Sequence, residues 1–409
     1  MRHTLVIVNY MRTNPTIVDD LVFSFKDKFK KIYVVNRNTN SNYKNIEGIQ
    51  NVEILEVNKG KRFFYHLFSL ITFLNKDTLS DIGYAIKKNF FSIKKLFLQF
   101  KYYSISNMLF YTMKQIQEIK TNSSDVTLLS VWFTSEALAI SKLKKKYKEL
   151  KCISMAHAHE IETEKNDDTF FYKKVHHKYL DNIIFISKTK LNSYLKYVCN
   201  PRNLDYSRCK VLYWGSKSDY IHGNISNVSD YNVIVSCSTV EPLKRVEQIA
   251  KAISLLPNNC IWHHFGDGRT FDLLEKTIET FSPETKKRIF IHGRVDNSAI
   301  KTFYRDNKVD LFINFSTTEG LPISVMEALS YGIPCIVTDV GGEREIIDDG
   351  LNGFVLNRDS TYYELAELVN KFISLPPSER IRFKEGARNT WERKFDLSSN
   401  IDNYYEVLK

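Results

Sequence analysis

The sequence predicts an α/β protein made of two doubly wound, parallel-sheet, Rossmann-like domains. Three features lead there. At 409 residues the chain is long enough for two domains, and 43% hydrophobic residues can fill two cores. Short apolar runs rich in Val and Ile alternate with helical stretches, the rhythm of βαβ units whose strands are covered on both faces. That rhythm starts twice, at Thr4 and near Tyr231, with a polar stretch rich in Ser, Asn and Gly before the second start.

In the first half, Thr4–Asn9 (TLVIVN) reads as a buried strand. Thr16–Phe29 is the helix after it, with Val18, Leu21, Val22 and Phe25 along one side. Lys31–Asn36 and Val52–Val57 are the next strands. The first connecting loop, NYMRTNPT, holds no glycine and offers no close backbone approach, so no ligand residue is assigned there. Helices rich in Lys and Phe follow. Asp125–Val131 is a strand, Trp132–Glu136 its loop and Ala137–Tyr147 its helix. Lys151–Met155 is a strand that runs into Ala156-His157-Ala158-His159-Glu160, and Asn182–Ile186 is another, followed by Lys188, which suits either a phosphate or plain solvent. Cys209–Leu212 begins the exit. The first domain is expected over 1–213 with an insert at 61–120, and a linker over 214–230.

The second domain is expected over 231–392, and its strands are Tyr231–Cys237, Ile261–Phe265, Ile289–His292, Val309–Phe315 and Cys335–Thr338. Leu365–Phe372 and Pro377–Asn389 read as helices. Chemistry is concentrated in Asn314–Gly353. Ser316–Leu321 is the loop at a strand's carboxyl end, Pro322 suits a helix's first position, and Gly332 with Pro334 ends that helix. In such sheets, loops and helix starts form the ligand-binding edge. Glu319 sits in the loop and Glu327 lies about 7.5 Å along the helix, at about 1.5 Å per residue. They are placed too differently to share a proton, so each reads as an acceptor for a pair of hydroxyls. The helix's unpaired N–H groups, at Leu321 and Ile323 beside Gly320, favour a phosphate between them. A sugar, a diphosphate and a ribose would use all three features.

E-G-L-P-x-x-x-x-E, then A-x-x-x-G-x-P, then G-G-x-x-E-x-I resembles the retaining glycosyltransferases of family 4, of the bacterial surface-polysaccharide type, which have the GT-B architecture. The resemblance implies two domains facing a cleft and a last helix, within 393–409, crossing back to the first domain. It implies that Glu327 takes the ribose hydroxyls and Glu319 those of the donor sugar. M-A-H-A-H-E resembles the family's R-A-H-G-x-D stretch, which makes His157 the residue beside the donor sugar, unless it is only packed at a strand end; His159 reads as structural. Lys244 fits the family's diphosphate-binding Lys. Ser238 stands where an Arg is expected, so less charge meets the diphosphate, and Arg245 either helps or lies exposed on a helix. Gly266 in Gly266-Asp267-Gly268 would let the nucleotide approach, and Arg294 and Val295 are candidates for base contact.

Net charge is +11, and 61–120 holds ten Lys or Arg against three Asp or Glu, interleaved with Phe64, Phe68, Phe91 and Phe97 among others. That mixture suits an anionic membrane surface. Nucleic acid would read the same charge and ordinary amphipathic helices would carry it; the reading adopted is a membrane contact and no nucleic acid. Six scattered cysteines show no metal spacing and read as reduced thiols. With no signal peptide and no apolar run long enough to span a bilayer, the expected place is cytoplasmic, peripheral on the inner face of the membrane.

The expected activity is a transferase moving a sugar from a nucleotide-diphosphate donor, UDP favoured over GDP, to a glycan or lipid-linked acceptor. Retention is implied by the resemblance, and no cofactor or essential metal is expected. Alternatives are a sugar-nucleotide epimerase of the same fold, a glycosidase using the two Glu residues, and a non-catalytic basic binding protein.

Overall fold

The computed structural model describes residues 3–10, 15–37, 43, 45–57, 62–87, 91–161, 172–198, 205–220 and 231–409. Residues 11–14 of the glycine-free first loop, residue 88, Cys199 and 221–230 of the expected linker lie outside the described residues. The chain forms two compact units, one of Met1–Leu212 with Ile401–Lys409, the other of Tyr213–Asn400.

The first unit holds seven parallel strands: β1 (Thr4–Asn9), β2 (Lys31–Asn36), β3 (Val52–Glu56), β4 (Val126–Ser130), β5 (Lys151–Ala156), β6 (Asn182–Phe185) and β7 (Cys209–Val211). Their order is β3-β2-β1-β4-β5-β6-β7. Every residue of β1 and β4 is buried, as a parallel sheet covered on both faces requires. Each fully buried Leu, Ile or Val there stabilises the fold by about 1.5–3 kcal/mol. Helix Leu397–Leu408 brings its end into this unit: the fully buried Tyr404 donates from its hydroxyl to Leu212 O at 2.9 Å, and Thr127 Oγ1 donates to Leu408 O at 2.8 Å.

The insert is helical, over Arg62–Thr72, Lys76–Lys87 and Ile93–Met113. Its aromatics divide. Phe73 is buried and meets Phe100 edge-on at 5.3 Å, whereas Phe64, Ile71, Ile93 and Phe97 are 68%, 80%, 81% and 71% exposed. The insert therefore shares a small core with Leu138, Tyr172 and Val175 and keeps a solvent-facing apolar surface.

The second unit has six parallel strands: β8 (Asn232–Cys237), β9 (Cys260–Phe265), β10 (Ile289–Ile291), β11 (Val309–Asn314), β12 (Cys335–Thr338) and β13 (Gly353–Leu356), in the order β10-β9-β8-β11-β12-β13. β13 was not expected; it is four residues long and starts at a glycine, too short for a periodicity to show. Its Gly353 has no room for a Cβ, which would stand 2.0 Å from Cys335 O. Helix ends also differ from expectation: Pro15–Phe25 stops short of Phe29, and Pro377–Lys394 runs past Asn389.

Part of the expected linker is built into the second unit. Ser216 bridges Asp396 and Ser218 Oγ donates to Ser330 O at 3.1 Å; Tyr213, expected as the last residue of the first domain, also belongs to the second unit and donates from its hydroxyl to Glu345 Oε2 at 2.8 Å. The polar groups of this linker segment find partners inside the unit.

Candidate functional site

In the second unit the strand order reverses between β8 and β11, the position where doubly wound sheets open a crevice beyond their carboxyl ends. The loops after those two strands meet there. Thr317 N donates to Leu243 O at 2.8 Å, which ties the β11 loop to the 3₁₀ turn Pro242–Lys244 that follows β8. Glu319 Oε1 then receives Lys244 Nζ at 2.5 Å and Asn314 Nδ2 at 3.3 Å. Ser316 Oγ lies 2.7 Å from both Asn314 Oδ1 and Glu319 Oε1, and with one proton donates to one of them at a time. The sequence placed Lys244 on a diphosphate and Glu319 on a sugar; the structure couples them as an ion pair with side-chain exposures of 20% and 12%.

Glu327 is buried on helix Ile323–Ser330, and its Oε1 accepts from Asn297 Nδ2 at 2.9 Å. Asn297 opens the helix Asn297–Asp306 after β10, so it reaches Glu327 from a separate βα connection. Cys237 closes β8, and its thiol is pushed up to about 12, first by burial and then by the charge of Glu327. Glu327, Cys237 and Lys244 therefore share one electrostatic neighbourhood. Pro322 does not occupy the helix's first position. It is the N-cap, at φ −72° and ψ 113°, an extended conformation. Gly332 ends the helix as expected, at φ 71°, a left-handed value that suits a residue without Cβ.

The loop before Glu343 packs on the Glu319 loop: Gly342 N donates to Gly320 O at 2.9 Å, and a Cβ on Gly341 would stand 2.2 Å from Glu319 O. The Glu343 carboxyl is thereby buried, 1% exposed, with backbone N–H groups of Val340, Gly341 and Glu343 facing it but not reaching hydrogen-bond geometry. Burial raises its pKa from 4.5 to about 7, with Glu319's charge adding to the rise. Such a change is worth on the order of 3 kcal/mol. The penalty is absent below the unfolded pKa and complete above the folded one, so it grows as pH rises through that window. His263, His264 and His176, whose pKa values burial lowers to about 4, 3 and 3, give the opposite slope over part of it. The comparison must therefore be native protein against Glu343→Gln. The stability of the variant relative to native, from urea melts, is expected to rise between pH 4.5 and 8; a constant difference would contradict the buried carboxyl.

Three other expected site residues, Arg245, Gly266 and Val295, have their near neighbours inside the protein. Arg245 gives its guanidinium to three carbonyls, Phe315 O at 2.6 Å, Ser316 O at 3.3 Å and Ser360 O at 3.2 Å, and lies 3.8 Å from the Phe315 ring centroid. It also has φ +49°, a strained value these bonds hold in place. Its role is to join loops, and the expected help to a diphosphate is not kept. Gly266 has φ +144°, and its missing Cβ would lie 1.8 Å from Ser238 O, so the close approach of the Ser238 carbonyl by itself requires glycine there. Val295 is partly buried and packs against the core of the second unit. Arg294 is exposed, and Ile323 is 49% exposed at the helix start.

The first unit has its own reversal, between β1 and β4. Trp132 Nε1 donates to Asn9 Oδ1 at 2.7 Å, and the fully buried Glu136 accepts from Tyr10 N at 3.1 Å. The His157 ring lies 4.5 Å from Trp132, centroid to centroid. Glu160 clamps the turn, accepting from His157 N and from Phe133 N, both at 2.9 Å. The His159 side chain lies outside the described residues. Trp132, Glu136, Asn297, Asn314 and Glu343 were missed. Asn314, the polar residue that closes an apolar strand, was the legible signal; Asn297 had none, because its partner lies on another connection.

Residues 219–390 match the family described as Glycosyl transferases group 1. The chain is similar to the poly(glycerol-phosphate) alpha-glucosyltransferase of Bacillus subtilis, 32% identical over 35% of this chain and 20% of that protein. It is similar to the O-antigen biosynthesis glycosyltransferase WbnH of Escherichia coli, 32% identical over 32% of this chain and 35% of that protein. It spans less than two fifths of the length of the first curated relatives it matches. Among solved structures, Anabaena Alr3699/HepE in complex with UDP superposes with a TM-score of 0.70 at 14% identity, covering 99% of each chain. At that identity the likeness shows the GT-B fold.

Proposed function

We propose that this protein is a glycosyltransferase that moves a sugar from a nucleotide-diphosphate donor to a glycan or lipid-linked acceptor in surface polysaccharide synthesis. The observation that carries the reading is the Lys244–Glu319 ion pair at the β8–β11 reversal, with the charges of Lys244 and Glu327 both felt at Cys237, inside the segment that matches the glycosyl transferase family. Glu327 takes the ribose hydroxyls. Lys244 and the first N–H groups of helix Ile323–Ser330 hold the diphosphate, where a helix leaves donors unpaired. Glu319, positioned by Asn314 and Ser316, takes donor-sugar hydroxyls. His157 is the first unit's candidate for the sugar.

Transfer proceeds with retention. The acceptor oxygen bonds to the anomeric carbon on the face from which the sugar–phosphate bond breaks, and the acceptor's proton passes to the departing phosphate oxygen. No protein base is then needed; the protein neutralises the diphosphate and orients the acceptor. No metal is required, so transfer should persist in EDTA. The basic, apolar surface of 61–120 rests on an anionic membrane, which fits the exposure of Phe64, Ile71, Ile93 and Phe97.

Titration calorimetry with UDP and GDP, followed by product analysis with a UDP-sugar, tests the reading. UDP should bind more tightly than GDP, and the sugar should appear on an acceptor. Binding of neither nucleotide would end the reading. A modified free sugar with no glycosylated product would make the protein an epimerase.

A further inference from the structure

Within the first unit, helices Arg62–Thr72, Ile93–Met113, Ser135–Lys146 and Lys173–Tyr179 surround a cavity of about 620 Å³. That is the size range of small-molecule sites. Most of its wall is apolar, with Phe68, Ile71, Leu74, Tyr111, Leu138 and Tyr179 contributing. One wall is not. Lys142 Nζ stands 3.7 Å from the Tyr103 ring centroid and donates to Ser106 Oγ at 2.7 Å and Asn107 Oδ1 at 2.5 Å. An ammonium has three donors, and these contacts use two. No carboxylate pairs with Lys142 among the described residues, and desolvation holds its pKa well below the usual lysine range. Lys145 adds a second cation to the lining, while Lys76 and Asp77 there offset each other. A cation in an apolar wall without a counter-charge is costly, and an anionic ligand would relieve it.

The opening carries the second observation. Ile71 and Leu74 of the lining are 80% and 64% exposed, and Leu67 and Leu70, 49% and 62% exposed, continue the apolar stripe at helical spacing. Such a stripe leading into an apolar cavity is unusual for a surface in contact only with water.

We propose that this cavity binds a membrane amphiphile with a phosphate head, its hydrocarbon chain among Phe68, Ile71 and Tyr111 and its phosphate on Lys142 and Lys145. Charge complementarity chooses the anionic head, and the exposed stripe chooses a lipid over a wholly soluble phosphate. That this amphiphile carries the sugar acceptor rests on the glycosyltransferase reading; its binding does not.

The test titrates the full chain with dodecyl phosphate below its micelle concentration, beside octyl phosphate, dodecanol and inorganic phosphate. Dodecyl phosphate should bind at least about tenfold more tightly than each of the others, since each methylene removed costs about fourfold and the phosphate adds a charge-assisted contact. Lys142→Met should weaken it by at least about tenfold and Lys142→Arg by less than about threefold. Ile71→Glu, at an exposed rim where folding is not at risk, should weaken dodecyl phosphate and dodecanol alike. Unchanged affinity in both Lys142→Met and Ile71→Glu, or inorganic phosphate binding as well as dodecyl phosphate, overturns the proposal. UDP affinity, measured on the same samples, keeps the two readings apart. A chain that binds UDP but not dodecyl phosphate loses only this site, and the reverse loses only the donor site.

Discussion

Replacing Glu327 by Ala is expected to weaken UDP binding by about 10²–10⁴ and to bring sugar transfer below detection. A carboxylate accepting two hydroxyl protons from a ribose makes two charge-assisted hydrogen bonds, each worth about 1.5–3 kcal/mol. The Ala variant also leaves the Asn297 amide without the oxygen it now donates to. Glu327→Gln keeps the shape but loses the charge, so it should fall between native and Ala. Calorimetric titration with UDP and the initial rate of transfer check both. Affinity within about threefold of native in Glu327→Ala would remove the ribose from this residue, since no charge-assisted pair is worth so little.

The second large effect is expected at Lys244. Lys244→Met removes the one side-chain cation placed by this reading on the departing diphosphate, and the transfer rate should drop by about 10²–10³, the usual loss when a donor aimed at developing charge is deleted. It also leaves Glu319 in a site only 12% exposed without its cation. Removing one partner of a buried pair costs about 3–5 kcal/mol; with both groups partly open to solvent, about 2 kcal/mol is expected here. Glu319→Gln in the Lys244→Met background should return most of that stability, because no unpaired charge remains, while the rate stays low. A purely structural pair would behave otherwise: the double variant would recover stability and rate together. Denaturant melts and kcat for the four proteins of this cycle decide between them.

The ion pair also bears on the absent Arg. With Ser238 at the place where the resembled family carries Arg, and with Arg245 committed to the carbonyls of Phe315, Ser316 and Ser360, the cation left among the expected site residues near Glu327 is Lys244. Glu319 neutralises it, so on the proposed reading a donor diphosphate would share that lysine with the acid. Sugar hydroxyls on Glu319 and phosphate oxygens on Lys244 would together replace the pair's mutual contact.

Much of this was legible from the residues alone, for a local reason. A strand buried on both faces must be a short apolar run, so β1, β2, β11 and β12 could be read from Thr4, Lys31, Val309 and Cys335 onward. A helix that ends at a left-handed residue calls for glycine, and Gly332 is there. Glu319 and Glu327, eight positions apart across a loop and a helix start, read as carboxylates that share no proton, and in the structure Glu319 accepts from Lys244 and Asn314 while Glu327 accepts from Asn297. What only the tertiary structure decided is who meets whom. Strand order places β8 beside β11, and that adjacency alone brings Lys244 to Glu319 across 75 positions of chain. The same packing sends Asn297 to Glu327, buries Glu343 beneath the Gly341 turn, and turns Arg245 from a ligand candidate into a loop brace. Periodicity and turn chemistry act over a few residues, whereas these encounters depend on the order in which strands are laid into a sheet, which no local pattern encodes.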